Sequence, residues 1–236
     1  MNISEILSDA LVYPINNIKA LLIYVVLGII AGIAVGGTLL GFVAGAKLQN
    51  GAISIVGIFG LLISIVLVLL ITGYELDIVK YGINRDPGAP GIDIVRQVVN
   101  AIKLIIVEFV YYIIPILIAV LIGFLFGNGI ISTLIAIIIC IIFSLALFMA
   151  VCRLAKTDDL GDALAVGEAI GDISRVGLIN ILLLSIILVV IAFVAMFIIS
   201  LIAQASSTIG SILLGIFSVY FSFAGFRAIG LLYSNA

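Results

Sequence analysis

The chain has 236 residues, of which 65% are hydrophobic and 9% are charged, and its mean hydropathy is +1.53. A water-soluble domain has about 45–50% apolar and about 25% charged residues, so this composition excludes a soluble globular protein. The net charge of −2 comes from 12 acidic and 10 basic residues, and nearly all of the length is needed for membrane spans. We therefore expect one all-α membrane domain over residues 1–236.

The first twenty residues are predicted to form an amphipathic helix at the membrane interface. Its apolar residues recur at helical spacing: Ile3, Ile6, Leu7, Ala10 and Leu11. Glu5 and Asp9 lie on the opposite flank, where a secretory signal would have basic residues, so we expect the segment to remain in the mature protein.

Six later segments are apolar enough to cross the hydrocarbon core, which requires about 20 residues. They lie near residues 20–46, 52–76, 104–127, 130–152, 177–203 and 209–232. Short separators at 47–51, 127–129 and 204–208 pair the spans, whereas longer polar stretches at 77–103 and 153–176 separate the pairs. The sequence thus predicts an integral membrane protein with six transmembrane helices in three hairpins.

The charges indicate the orientation of these spans. All twelve carboxylates and nine of the ten basic residues fall in the stretches that share one side, and Lys47 alone falls on the other. Because Lys and Arg are retained in the cytoplasm, we expect both termini to be cytoplasmic in a multi-pass protein of the cell membrane.

Two further amphipathic helices are predicted on the cytoplasmic side, at residues 92–103 before the third span and 160–172 before the fifth. Each span pair would then follow an interfacial helix, which gives possible repeats near 1–80, 81–156 and 157–236. Two interpretations remain open, a true internal triplication and three similar hairpins that arise from packing alone.

Glycines in the first span form the strongest packing pattern. They recur every four residues in two adjacent strips, Gly28, Gly32 and Gly36, and Gly37, Gly41 and Gly45. Such a glycine zipper lets helix backbones approach closely. It predicts either a homo-oligomer interface or packing against the protein's own spans.

Glu108 is the clearest ionisable residue inside a span, which makes it a candidate functional residue by default. A proton or cation site would need a cavity and a second carboxylate at comparable depth, and we expect no other span to supply one. The interpretation we prefer is a structural ion pair or a snorkelling carboxylate, with Arg227 as the expected partner.

Catalytic, cofactor and metal sites are not expected. The chain has no His, and Cys140 and Cys152 lie about 18 Å apart along one predicted helix, too far for a disulfide. The acidic group Asp158, Asp159 and Asp162 fits helix capping better than metal binding. Twelve acids against nine bases on the inner face exclude nucleic acid as a partner and disfavour general recruitment of anionic lipid head groups.

Two runs of residues resemble a family of archaeal polytopic membrane proteins catalogued as a domain of unknown function, number 4013. The first runs from Gly73-Tyr74 through the loop 84–91 to Ala101-Ile102-Lys103, Tyr111, Tyr112 and Pro115, and the second runs from Arg153 to Ile170. Gly91-Ile92-Asp93 departs from the acidic and aromatic residues typical of the family after the loop proline. The resemblance implies an archaeal origin and a six-span fold, and it transfers no site.

Two hypotheses about function follow. The first is a non-catalytic, oligomer-forming structural or membrane-organising component, with membrane lipids, its own copies and a basic cytosolic protein as partners. The alternative is a small-solute or ion transporter or channel, which Glu108 and a helix bend at Pro115 would favour. The absence of His argues against an enzyme.

Overall fold

The computed structural model describes residues 1–48, 51–127 and 129–235, which form nine α-helices and no β-strand. In chain order they are α1 (Ile3–Asn16), α2 (Ile18–Leu48), α3 (Gly51–Ile83), α4 (Ile94–Phe126), α5 (Ile130–Thr157), α6 (Leu160–Leu164), α7 (Val166–Val176), α8 (Leu178–Ala205) and α9 (Ser207–Tyr233). The centres of two predicted turns, residues 49–50 and residue 128, lie outside the described residues.

Six of these helices, α2, α3, α4, α5, α8 and α9, are long and apolar enough to cross a membrane. Their candidate spans contain 22 to 33 residues, against the roughly 20 that a bilayer requires. The prediction of an all-α fold with six membrane-spanning helices is confirmed at this level, and the six apolar helices indicate a multi-pass membrane protein.

The shorter helices differ in detail from the prediction. The amphipathic stretch at 92–103 is not a separate helix, because no Gly or Pro interrupts the chain before the third span and α4 runs through both. The stretch at 160–172 is instead divided at Ala165 into α6 and α7. Helix α7 ends at Val176 and is followed by Gly177, whose φ of 93° is in a region that favours glycine. At the N-terminus, α1 continues past Pro14 to Asn16.

Helix α3 lies at the centre of the bundle and packs against α2, α4, α5 and α9. Glycines permit its closest approaches. A Cβ on Gly57 would lie 3.2 Å from the Thr38 carbonyl oxygen of α2, and one on Gly82 would lie 3.0 Å from Gly230 Cα of α9. Because lipid provides no hydrophobic drive for helix association, such close backbone packing is a main source of stability here.

Most buried side chains lie at one end of the bundle. The larger core cluster joins α1 to the end of α3, the first half of α4, the second half of α5, α7, the start of α8 and the end of α9. At the opposite end large apolar side chains are exposed, among them Phe124 and Ile130. This distribution is expected where lipid covers the spans and the protein is held together chiefly at one end.

Candidate functional site at the charged end of the bundle

Antiparallel packing brings the polar helix ends together. We define the charged end as the last turns of α3, α5 and α9 and the first turns of α2, α4 and α8, together with α1, α6 and α7. All six ion pairs among the described residues lie here: Arg96–Asp77, Lys103–Asp158, Arg153–Glu168, Arg153–Asp172, Arg175–Asp172 and Arg227–Asp9. Ten charged side chains of this end are therefore paired with one another.

Asp172 is the most highly connected of these carboxylates, and its side chain is 1% exposed. Its Oδ2 accepts from Arg153 Nη1 at 3.2 Å and from the Tyr233 hydroxyl at 2.8 Å, and its Oδ1 accepts from Arg175 Nη1 at 2.7 Å. Arg153 also pairs with Glu168. Asp172 consequently ties α7 to α5 and α9 through a buried charge whose hydrogen bonds are satisfied.

Arg227 in α9 is buried, and its partner is not the expected Glu108. Its Nε donates to Asp9 Oδ1 at 2.8 Å, its Nη1 donates to the Asp86 carbonyl oxygen at 2.6 Å, and its guanidinium stacks over the Tyr13 ring. Helix α1 packs against α9 and delivers Asp9 to this position. The expected Glu108–Arg227 pair does not form among the described residues.

Tyr13 completes this cluster by joining α1 to the loop between α3 and α4. Its hydroxyl donates to the Gly88 carbonyl oxygen at 3.0 Å. Burial, which disfavours the charged phenolate, raises the pKa of Tyr13 well above 10.0 even though Arg227 acts in the opposite direction. The hydroxyl therefore remains a hydrogen-bond donor at any physiological pH.

Asp77 links α3 to α4 and is buried. Its Oδ2 accepts from Arg96 Nε at 3.2 Å, and its Oδ1 accepts from Asn100 Nδ2 at 2.9 Å. A pocket of about 50 Å³ adjoins this pair and is also lined by Lys80. Asp93 caps the N-terminus of α4 by accepting from the Arg96 amide, which fixes the register of the helix that carries Arg96 and Asn100.

Glu108 is half-buried in α4, and a second carboxylate lies in the neighbouring helix α3. Glu75 of α3, which is also inside a candidate span, accepts a hydrogen bond from the Ser222 hydroxyl of α9. The candidate span of α3 therefore contains a carboxylate, which our expectation about the other spans did not take into account. Glu75 lies within the predicted span at 52–76, one residue before its end, and its position directly before the polar stretch at 77–103 gave no sign of a separate role.

The glycines of the first span divide into two groups. A Cβ on Gly28 would meet Val219 of α9 at 3.2 Å, and Gly41 is buried beside Gly57 of α3. By contrast, a Cβ on Gly32, Gly36 or Gly37 would have nothing within 4 Å. Gly45 is buried. Packing within the chain thus uses some of these residues and leaves the others open.

The remaining candidates have local structural explanations. Asp158 ends α5 in the left-handed conformation and pairs with Lys103, and Asp159 caps α6 by accepting from the Gly161 amide. Cys140 and Cys152 are both free thiols. Across residues 1–48, 51–127 and 129–235, no three metal-ligating side chains are brought together.

Six apolar helices long enough to span a membrane, joined by ion pairs at one end, are the features of a polytopic α-helical membrane protein. A family model described as "Protein of unknown function (DUF4013)" matches residues 56–204, more than half of the chain, and includes both runs that carried the resemblance. The chain belongs to this family. No curated protein and no solved structure matches it.

Proposed function

We propose that the protein is a non-catalytic component of the cell membrane that forms homo-oligomers through α2 and organises the surrounding bilayer. The observation that carries this proposal is the open glycine face of α2. Gly32, Gly36 and Gly37 meet no atom within 4 Å of an added Cβ, whereas Gly57 and Gly60 of α3 are closely opposed by α2.

An open glycine face on a peripheral span favours contact with another helix. Helix α2 packs against α1, α3 and α9, which leaves the remainder of its surface to the membrane. Between helices in lipid, association depends on close packing, and a helix can approach nearest where glycine exposes the backbone. A second copy of α2, with the same spacing of glycines, is a suitable partner.

The charged end is proposed to lie in the cytoplasm, where Lys and Arg of short loops are retained. Both termini are then cytoplasmic, the six spans form three hairpins, and α1, α6 and α7 lie at the interface. Exposed acidic side chains at this end, including Glu5 and Asp159, offer a docking surface for a cytosolic protein with basic residues.

The test is the paired substitution Gly32→Leu/Gly36→Leu, at two positions where an added Cβ has no atom of the same chain within 4 Å. Native gels in mild detergent should show an oligomer for the wild type and a monomer for the double variant. Gly225→Leu is the matched control, because Gly225 of α9 is equally open and lies outside α2. A wild-type protein that runs as a monomer rejects the proposal.

A second candidate function is proton or cation transport, which is favoured by carboxylates in the candidate spans of two neighbouring helices, Glu75 of α3 and Glu108 of α4. Two neighbouring carboxylates within spans can share a proton or bind a cation. In liposomes with dyes for protons and sodium, the wild type should then carry flux that Glu108→Gln abolishes. Glu168→Gln, outside the spans, is the control, and absence of wild-type flux under both gradients excludes this candidate.

A further inference from the structure

An apolar cleft lies between α5 and α8, with α9 behind it. Both helices contact α9 but hardly touch one another. The cleft has a volume of about 180 Å³ and is lined by apolar side chains that include Met149, Ile181, Leu188 and Leu232. Ser185 is the single polar side chain among the residues that line it.

The cleft runs along the helices from the charged end towards the middle of the bundle. On α8 its lining extends from Ile181 to Val189, about 12 Å at 1.5 Å per residue. Val189 is exposed, so the cleft opens sideways to the membrane. Its walls offer water almost no hydrogen-bond partners, which favours hydrocarbon as the occupant.

Two exposed basic residues lie on segments that adjoin the charged end of the cleft, one on α5 and one on α7. Lys156 lies two turns beyond Met149 on α5, with Nζ 5.6 Å from the ring centroid of Tyr233, the residue after Leu232. Arg175 lies in the last turn of α7, just before α8, and its side chain is 67% exposed.

We infer that this cleft binds one hydrocarbon chain of a membrane lipid whose anionic, phosphate-bearing head group contacts Lys156 and Arg175. Guanidinium and ammonium groups are the usual protein partners of phosphate. Arg175 does pair with Asp172 through Nη1, but Asp172 is shared with Arg153 and Tyr233, and a guanidinium has further N–H groups with which to contact a phosphate. Glu168, the other carboxylate of α7 that forms an ion pair, pairs with Arg153.

This arrangement should select lipids by head group more than by chain. A hydrocarbon chain gains no hydrophobic free energy by moving from the bilayer into an apolar cleft, so charge at the head group decides the preference. The inference is independent of the proposed self-association, because α2 has no substantial contact with α5 or α8.

Native mass spectrometry of the purified full chain tests the head-group contact. With phosphatidylglycerol and phosphatidylcholine of identical dioleoyl chains, the wild type should bind phosphatidylglycerol preferentially. Lys156→Gln and Arg175→Gln should each weaken that binding about tenfold, the effect of one charge-assisted hydrogen bond, and leave phosphatidylcholine unchanged. Lys19→Gln is the matched control, since Lys19 is exposed at the same end but lies in α2.

Filling the cleft tests the chain contact. Ser185→Phe should reduce binding of both lipids, whereas Ile186→Phe, at a neighbouring residue that does not line the cleft, should not. If Ser185→Phe alters the circular dichroism spectrum or the elution volume, and so disturbs the fold, Val189→Trp at the rim of the cleft is used instead to block the chain and should also reduce binding of both lipids. Phosphatidylglycerol binding that survives both cleft-filling and charge-removing variants overturns the inference. So does full competition by glycerol phosphate, which has no hydrocarbon chain.

Discussion

Replacing Asp172 by Asn is expected to destabilise the charged end by about 3 kcal/mol. Removing one partner of a buried ion pair costs roughly 3–5 kcal/mol, because the opposite charge is left buried and uncompensated. Here the cost should fall at the lower limit for two reasons. Arg153 retains Glu168, and Arg175 is 67% exposed, so water can hydrate its guanidinium and its pair contributes little. Most of the loss therefore comes from Arg153 and from the Tyr233 hydrogen bond.

The assay is thermal unfolding in detergent, followed by circular dichroism because the chain contains no Trp. A loss of about 3 kcal/mol corresponds to a fall in Tm of roughly 6–12 °C for a chain of this length. Asp158→Asn is the matched control: Asp158 is 62% exposed, pairs with Lys103, and is in a left-handed conformation that Asn also adopts. It should cost no more than about 1 kcal/mol. Equal Tm values for the two variants would refute the reasoning.

Three further predictions concern other parts of the bundle. Gly73→Ala should prevent stable folding, because the added Cβ would lie 2.7 Å from Gln97 Cα and closer still to the Gln97 carbonyl group. Gly171→Ala is the control and should raise Tm slightly, because its Cβ would have no atom within 4 Å and Ala favours the helix. Similar expression and Tm for both variants would contradict this prediction. Tyr13→Phe should reduce the loss of stability above pH 10. Burial raises the pKa of Tyr13 in the folded protein, so above pH 10.0 the folded tyrosine keeps a proton that the unfolded chain releases, and the free energy of unfolding falls as pH rises. A variant whose Tm profile from pH 8 to 11 coincides with that of the wild type would count against this prediction. Arg227→Lys should lower Tm by several degrees, because an ammonium group cannot reproduce both the hydrogen bonds to Asp9 and Asp86 and the contact of a planar guanidinium with the Tyr13 ring. An unchanged Tm would contradict this and show that the positive charge alone is sufficient.

The spans could be predicted from the sequence because their signal is local. A run of about 20 apolar residues must be a helix in lipid, where every backbone group needs an internal partner. The position of the charged end followed equally directly from the distribution of Lys and Arg. Both features depend on residues that are adjacent in the chain.

The partners of individual residues could not be predicted, because they depend on how distant segments pack. Arg227 pairs with Asp9 across 218 positions, since α1 returns to α9, and nothing in either sequence neighbourhood indicates that return. The hydrogen bond from Ser222 to Glu75 likewise depends on how α9 packs against α3. Glycine spacing shows only that a close approach is possible, and the packing of α3 and α9 decides which glycines of α2 remain open.

The most direct test of the proposed self-association is the mass of the protein extracted with its native lipid, without detergent. The open face of α2 predicts particles that contain two or more copies of the 24.8 kDa chain, and a single copy for Gly32→Leu/Gly36→Leu. Particles with one wild-type copy at every protein concentration would contradict it.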